Sequence, residues 1–75
     1  MIKTLDDLPL NQKGYIKQLN CIGSVKRRML DLGIVEGTQI IPVLKSPSKE
    51  LRAFEIRGAI IAIRKEEAKL IEVKL

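Results

Sequence analysis

The chain has 75 residues, a formal net charge of +5 and a hydrophobic fraction of 45%. This length predicts a single domain over residues 1–75 and excludes large catalytic architectures such as the TIM barrel. The sequence has no histidine and one cysteine, which excludes His-dependent nucleophilic triads and cysteine-rich metal sites. No apolar run exceeds five residues, so no segment is expected to span a bilayer. The N-terminal residues lack a signal-peptide pattern, and we therefore expect a cytoplasmic protein.

A short helical turn is the first predicted element. Thr4 is a candidate cap for a turn over Leu5–Leu8, and the two acidic residues inside that turn favour the positive end of the helix dipole. Pro9 then ends the turn, because proline cannot continue it.

The next predicted element is a strand over Tyr15–Ile22, which opens after Gly14. Ile16 and Leu19 are three residues apart, and this spacing breaks a strict two-residue alternation. A β-bulge near Lys17-Gln18 would place both apolar side chains on the core side.

A helix is predicted over Ser24–Leu32, with Ser24 as its N-cap. A single apolar stripe at helical spacing supports it, formed by Val25, Met29 and Leu32. Gly33 is expected to end the helix in the left-handed conformation. Ile34 would then fold back onto Met29 in a Schellman arrangement.

The second half of the chain is predicted to be mostly strands. They cover Thr38–Leu44, Leu51–Arg57, Ala59–Arg64 and Leu70–Val73, with a helical turn at Glu66–Ala68 before the last one. Pro42 cannot donate to a ladder, so its strand is expected to be an edge or to carry a bulge there. A polar loop over Lys45–Lys49 and a tight turn at Gly58 join these strands. The inward-facing side chains are expected to be Phe54, Ile56, Ile61 and Ile63.

Five short strands with one inserted helix predict a mainly β domain, a small and partly open SH3-like barrel with short helical turns near each end. The helix is expected at about residues 24–32. An OB-fold is the alternative, although its five strands usually need a longer chain.

The segment from Lys26 to Thr38, with its Leu-x-Leu-Gly-Ile-x-x-Gly run, resembles bacterial ferrous iron transport protein A, the FeoA family. Arg57-Gly58, the segment from Ala62 to Ala68 and the opening at Leu5–Leu8 fit the same pattern. The resemblance implies an SH3-like barrel that assists the FeoB ferrous iron permease, which carries a G-protein domain. Three places depart from the pattern: Glu36 replaces a common proline, Ser48–Leu51 replaces a Gly-Asp-Pro hairpin, and Arg52 replaces an apolar residue.

The candidate partner-binding residues are Lys26, Arg27, Leu30 and Ile60. The basic triplet Lys26-Arg27-Arg28 lies in the first turn of the helix, where the dipole disfavours cations, so local stability does not explain it. Leu30 falls beside Lys26 on the helical wheel, and Ile41 and Ile60 fall on the outward phase of their strands. This set predicts docking on an acidic surface, although a simply solvated basic face is the alternative.

The residue types present argue against catalysis and metal binding. We predict no catalytic residues, no metal ligands and no cofactor, because ferrous iron favours histidine together with carboxylates. The only cysteine, Cys21, is expected to be buried and inert. The predicted function is a non-enzymatic module that docks on the cytoplasmic part of the permease and is recruited by it to the inner face of the membrane. A monomer is expected.

Binding of RNA or single-stranded nucleic acid is the alternative function, because small basic barrels often bind such ligands. These sites usually stack bases on exposed aromatic side chains. The chain offers only Tyr15 and Phe54, and Phe54 lies on the core phase. Acidic residues are also interspersed among the basic ones, so nucleic acid is disfavoured as a partner.

Overall fold

The computed structural model describes residues 2–75. Its strands are β1 (Ile2–Thr4), β2 (Gly14–Leu19), β3 (Gln39–Lys45), β4 (Leu51–Ile56), β5 (Ala59–Arg64) and β6 (Ile71–Lys74). Its helices are α1 (Gly23–Asp31) and α2 (Lys65–Ala68), and one 3₁₀ turn covers Leu5–Asp7. In these residues no helix has both the length and the apolar character needed to cross a membrane. The positions of α1, of the 3₁₀ turn near the start and of α2 near the end confirm the predicted helix and the two predicted helical turns.

The six strands form one antiparallel sheet in the order β1-β6-β2-β3-β4-β5. β3 connects the two halves of the sheet, β1-β6-β2 and β4-β5. Its first residues pair with β2 and its later residues pair with β4. Between residues 2 and 75 no ladder joins β1 to β5, so the predicted partly open, mainly β architecture is confirmed. β1 was not among the five predicted strands, because three residues are too few to show an alternating pattern.

The core lies inside the curved sheet and beneath α1. Its fully buried large side chains come from every part of the chain: Leu5, Leu8, Ile16, Met29, Ile34, Ile40, Phe54, Ile63, Ile71 and Val73. Leu19, Val25 and Ile61 pack against this cluster from its margin. Cys21 is buried as predicted, at 4% exposure.

Two predictions for the start of the chain are wrong in detail, the end of the β2 strand and the cap at Thr4, and one is confirmed. β2 ends at Leu19, so the strand predicted to reach Ile22 is too long. The predicted bulge is confirmed, because the β2–β6 register shifts between Ile16 and Gln18. The predicted cap at Thr4 is wrong in detail: its hydroxyl donates to the Asp7 carboxylate at 3.1 Å and makes no cap bond to the backbone.

The helix begins one residue earlier than predicted, because the carbonyl of Ile22 already accepts from the Lys26 N–H at 3.4 Å. Ile22 is therefore the N-cap, and Ser24 as the cap is wrong. At the other end, the N–H groups of Gly33 and Ile34 bond to the carbonyls of Leu30 and Met29, both at 3.0 Å. These two bonds are the predicted Schellman pair, and Gly33 has a φ of 92°.

One member of the predicted apolar stripe does not reach the core. Met29 is fully buried and Val25 is half-buried, but Leu32 is 39% exposed. The helix has ended at Asp31, and the Schellman turn brings Ile34 into the core in place of Leu32.

The strands of the second half match their predicted positions within a residue. Pro42 lies at a register shift between β3 and β4, so the bulged alternative is confirmed and the edge alternative is wrong. β4 and β5 are joined by the two-residue turn Arg57-Gly58, where φ is 52° and 83°. Positive φ at both positions is typical of the type I′ turns that connect hairpins. All four predicted inward side chains face the core, Ile61 at its margin.

Candidate docking surface

The outer face of α1 carries three of the four predicted partner-binding residues. Met29 and Val25 turn inward and fix the rotation of the helix against the core. Lys26, Arg27 and Leu30 therefore point outward, with Leu30 44% exposed. Leu30 lies one helical turn beyond Lys26, so the two side chains lie side by side along the helix.

Arg28, the third member of the basic triplet, has a structural partner. Its guanidinium forms an ion pair with the carboxylate of Glu67 on α2. The Glu67 side chain is only 13% exposed, whereas that of Arg28 is 53% exposed. This pair ties α1 to α2, and it removes Arg28 from the set of cations free to bind a partner.

Lys26 and Arg27 have no ion pair within the described chain. Both are exposed, so their charges face solvent. Together with Leu30 they form a surface on which two cations, without an ion pair in residues 2–75, lie beside one apolar side chain. We call this set the α1 outer face.

Ile60 belongs to a different element. It lies on the outer side of β5, 61% exposed, and its ladder partner on β4 is Glu55. Glu55 is in turn paired with Ile41 on β3, which is half-buried. The structure therefore groups three of the predicted residues on α1 and places the fourth on the sheet, beside an acidic side chain.

Arg52 is a buried cation whose role the sequence did not predict. It is 3% exposed and lies on the inner side of β4, two residues before Phe54. Its Nη1 donates to the carbonyls of Leu5 and Asp6 at 3.3 and 2.9 Å, and its Nη2 donates to the carbonyl of Leu8 at 2.7 Å. The guanidinium carbon also lies 5.5 Å from the centroid of the Phe54 ring.

These contacts give Arg52 a structural function. The guanidinium supplies donors to the carbonyls of Asp6 and Leu8 at the end of the 3₁₀ turn. The Leu5 carbonyl at its start also accepts from the Leu8 N–H at 3.4 Å. The alternation of β4 already placed residue 52 on the inner face. That phase was the one signal in the sequence that could have revealed the burial.

Two open grooves share the Glu36-Gly37 turn as part of their lining. The first, of about 510 Å³, is lined by Val35, Thr38, Ile41, Glu55 and Arg57 among others. The second, of about 600 Å³, is lined by Ile2, Tyr15, Lys17 and Lys74 as well as the turn itself. Tyr15 is 44% exposed there, and Lys74 is its ladder partner.

The acidic and sulfur-bearing side chains of residues 2–75 do not cluster into a candidate metal site. Within residues 2–75, no group of three or more Asp, Glu, Cys or His residues could hold a metal ion. Cys21 faces the core. The expected absence of a metal site in this chain stays a prediction.

The family model of the FeoA domain matches residues 3–75. A Campylobacter jejuni protein, named provisionally as Fe(2+) transport protein A, is 31% identical over 72 residues, which are 96% of this chain and 97% of the relative.

Two solved structures are similar over almost the whole chain. The solution structure of a FeoA-like protein from Clostridium acetobutylicum is 32% identical with a TM-score of 0.86, covering 96% of this chain and 84% of the other. The zinc complex of Stenotrophomonas maltophilia FeoA, described as an SH3 domain protein, is 28% identical with a TM-score of 0.84, covering 96% and 89%. The predicted SH3-like fold is thereby confirmed over the OB-fold.

Proposed function

We propose, from the premise that this chain belongs to the FeoA family, that it assists ferrous iron transport by docking on the cytoplasmic region of an iron permease that carries a G-protein domain. The family match over residues 3–75 carries this proposal. In it the protein acts as a monomer in the cytoplasm, catalyses no reaction and needs no cofactor. Its partner recruits it to the inner face of the membrane.

The α1 outer face is the proposed contact with the permease. Lys26 and Arg27, which form no ion pair in the described part of the chain, offer positive charge to an acidic partner surface. Such charge steers encounter and fixes orientation. Leu30 supplies an exposed apolar side chain beside these two cations. Ile60 would form a second contact from β5, provided that the partner surface also accommodates the carboxylate of Glu55.

The test is a binding measurement between the full chain and the water-soluble cytoplasmic region of the permease. We expect Arg27→Glu combined with Leu30→Asp to weaken binding at least about tenfold, because it reverses one charge and removes the apolar contact. The thermal midpoint is expected to change little, because both side chains are exposed.

Leu44→Asp combined with Lys45→Glu is the matched control. It changes an exposed leucine and a neighbouring exposed cation on β3 and leaves α1 unchanged. We expect it to bind like the unmodified chain. Equal loss in both double variants would reduce the effect to net charge, and no binding by a folded unmodified chain would rule out the docking proposal.

Single-stranded nucleic acid binding is the second candidate function, and the second groove favours it. Tyr15 is exposed there and lines the groove together with Lys17 and Lys74. Single-stranded ligands bind to such combinations of an aromatic stacking surface and cations. Titration of labelled single-stranded RNA tests it. Sub-micromolar binding that Tyr15→Ala abolishes would support this function, and weak binding lost at moderate salt would reject it.

A further inference from the structure

Ile22 is the most exposed large hydrophobic side chain in residues 2–75, at 82%. The chain leaves the core immediately before it, since Cys21 is 4% exposed. Ile22 itself is extended, with φ −132° and ψ 170°, and its carbonyl accepts from the Lys26 N–H. The backbone is therefore held by the helix while the side chain projects outward. A single exposed apolar side chain is common on protein surfaces, so the case for a contact here depends on the charged side chains that lie close to Ile22 in the sequence.

The sequence around Ile22 is basic. From Asn20 to Leu30 the sequence contains three basic residues and no acidic one. Arg28 is neutralised by Glu67, which leaves Lys26 and Arg27 unpaired among the described residues. The acidic group at the base of this segment, Glu72, accepts a hydrogen bond from the Asn20 amide at 2.8 Å. We call Ile22, Lys26 and Arg27 the α1 corner.

We propose that the α1 corner binds the surface of an anionic lipid bilayer. Ile22 would enter the headgroup region, and Lys26 and Arg27 would contact lipid phosphates. Burial of apolar groups in the headgroup region and the attraction of each Lys or Arg to anionic lipid, about 1 kcal/mol per cation, are the two contributions that hold peripheral proteins at such membranes.

The charge pattern favours the α1 corner as the part of the surface that meets anionic lipid. The exposed hydrophobic position on β5 is less suitable. Ile60, at 61% exposure, is paired with Glu55, and an anionic surface would repel that carboxylate. The inference goes beyond docking on the permease and does not rest on it. It gives the protein a weak affinity of its own for the membrane in which such a permease would lie.

The binding is expected to be weak and reversible. A single myristoyl chain gives a partition constant of only about 10⁴ M⁻¹, and one isoleucine buries less apolar surface than that chain. The measurement therefore needs lipid at millimolar concentration. It is made with the full chain and protein-free vesicles, by sedimentation with equal parts of phosphatidylglycerol and phosphatidylcholine and, separately, with phosphatidylcholine alone.

Three variants locate the contact. Ile22→Ser is expected to lower the partition constant about tenfold, and Lys26→Glu with Arg27→Glu at least about twentyfold. Leu44→Ser is the matched control, because Leu44 is 63% exposed on β3, and it is expected to stay within about twofold of the unmodified chain. Thermal unfolding of each variant establishes that it is folded.

Each alternative result would overturn the proposal. Equal binding to both kinds of vesicle would show that the anionic headgroup is not what the chain recognises, and binding to neither would remove the lipid surface as the occupant. Unchanged binding by Ile22→Ser, or equal loss in Leu44→Ser, would leave only the general attraction of a +5 chain.

The two proposals fail separately, because the vesicles contain no permease and the docking assay contains no lipid. If Ile22→Ser weakens binding to the permease fragment while the unmodified chain ignores vesicles, the α1 corner belongs to a protein contact instead.

Discussion

Arg52 places a full positive charge inside the protein, and all its hydrogen-bond acceptors are backbone carbonyls. Removing the guanidinium takes these donors away from the carbonyls of Asp6 and Leu8, whereas the Leu5 carbonyl keeps the Leu8 N–H. An unsatisfied buried carbonyl costs about 1–3 kcal/mol. We expect Arg52→Met to lower the free energy of unfolding by about 2–3 kcal/mol, measured by urea denaturation.

Arg64→Met is the control for this prediction, because Arg64 is exposed on β5. It should change the stability by no more than about 0.5 kcal/mol. If Arg52→Met were as stable as the unmodified chain, the hydrogen bonds of the guanidinium would only balance the cost of burying it.

Gly33 tests the end of α1. Its φ of 92° strains any residue with a branched Cβ, whereas a Cβ at this position would lie an ordinary 3.9 Å from its nearest neighbour, Arg57 Cδ. The cost of Gly33→Val therefore lies in the backbone, and we expect about 1–2 kcal/mol from thermal unfolding. Gly33→Asn should cost less, since asparagine tolerates positive φ. Equal costs for the two variants would assign the effect to crowding.

The ion pair of Arg28 and Glu67 joins two elements, α1 and α2. Because the arginine is half-exposed and the carboxylate is largely shielded, the coupling energy is expected to be about 0.5–1 kcal/mol. A double-mutant cycle with Arg28→Ala and Glu67→Ala measures it. The coupling should fall in high salt, and zero coupling at low salt would mean that the pair does not hold the helices together.

Elements whose signals are local could be predicted from the sequence. The Schellman end of α1 depends on Gly33 and its immediate neighbours, and the β4–β5 hairpin depends on alternation around a two-residue turn. The start of α1 and the burial of Arg52 could not be predicted in this way. Arg52 is stabilised by carbonyls more than 40 residues earlier in the chain, and no local pattern encodes a partner at that distance.

The candidate site likewise contains features that local sequence signals predict and features that depend on tertiary contacts. Exposure of Lys26, Arg27 and Leu30 follows from the helical period once Met29 is inside. The pairing of Arg28 with Glu67 requires α2 to fold against α1, and the projection of Ile22 requires the strand before it to end at Leu19. Both facts depend on tertiary packing.

At the scale of the whole molecule, one hydrophobic cluster contains buried side chains from both halves of the sheet. We therefore expect a single cooperative unfolding transition, with an enthalpy of about 50 kcal/mol near 60 °C. Scanning calorimetry checks this by comparing the calorimetric and van't Hoff enthalpies. A calorimetric value well above the van't Hoff value would show that the two halves of the sheet unfold separately.

The pairing of β1 with β6 has a consequence for how such a module can be combined with other chains. Ile2 faces Lys74 across a single rung of the ladder, so the two ends of the folded unit are about 5 Å apart at their Cα atoms. A unit that enters and leaves at one point can be spliced into a surface loop of a host protein, or have its ends joined and a new opening cut elsewhere, while every strand keeps its neighbours.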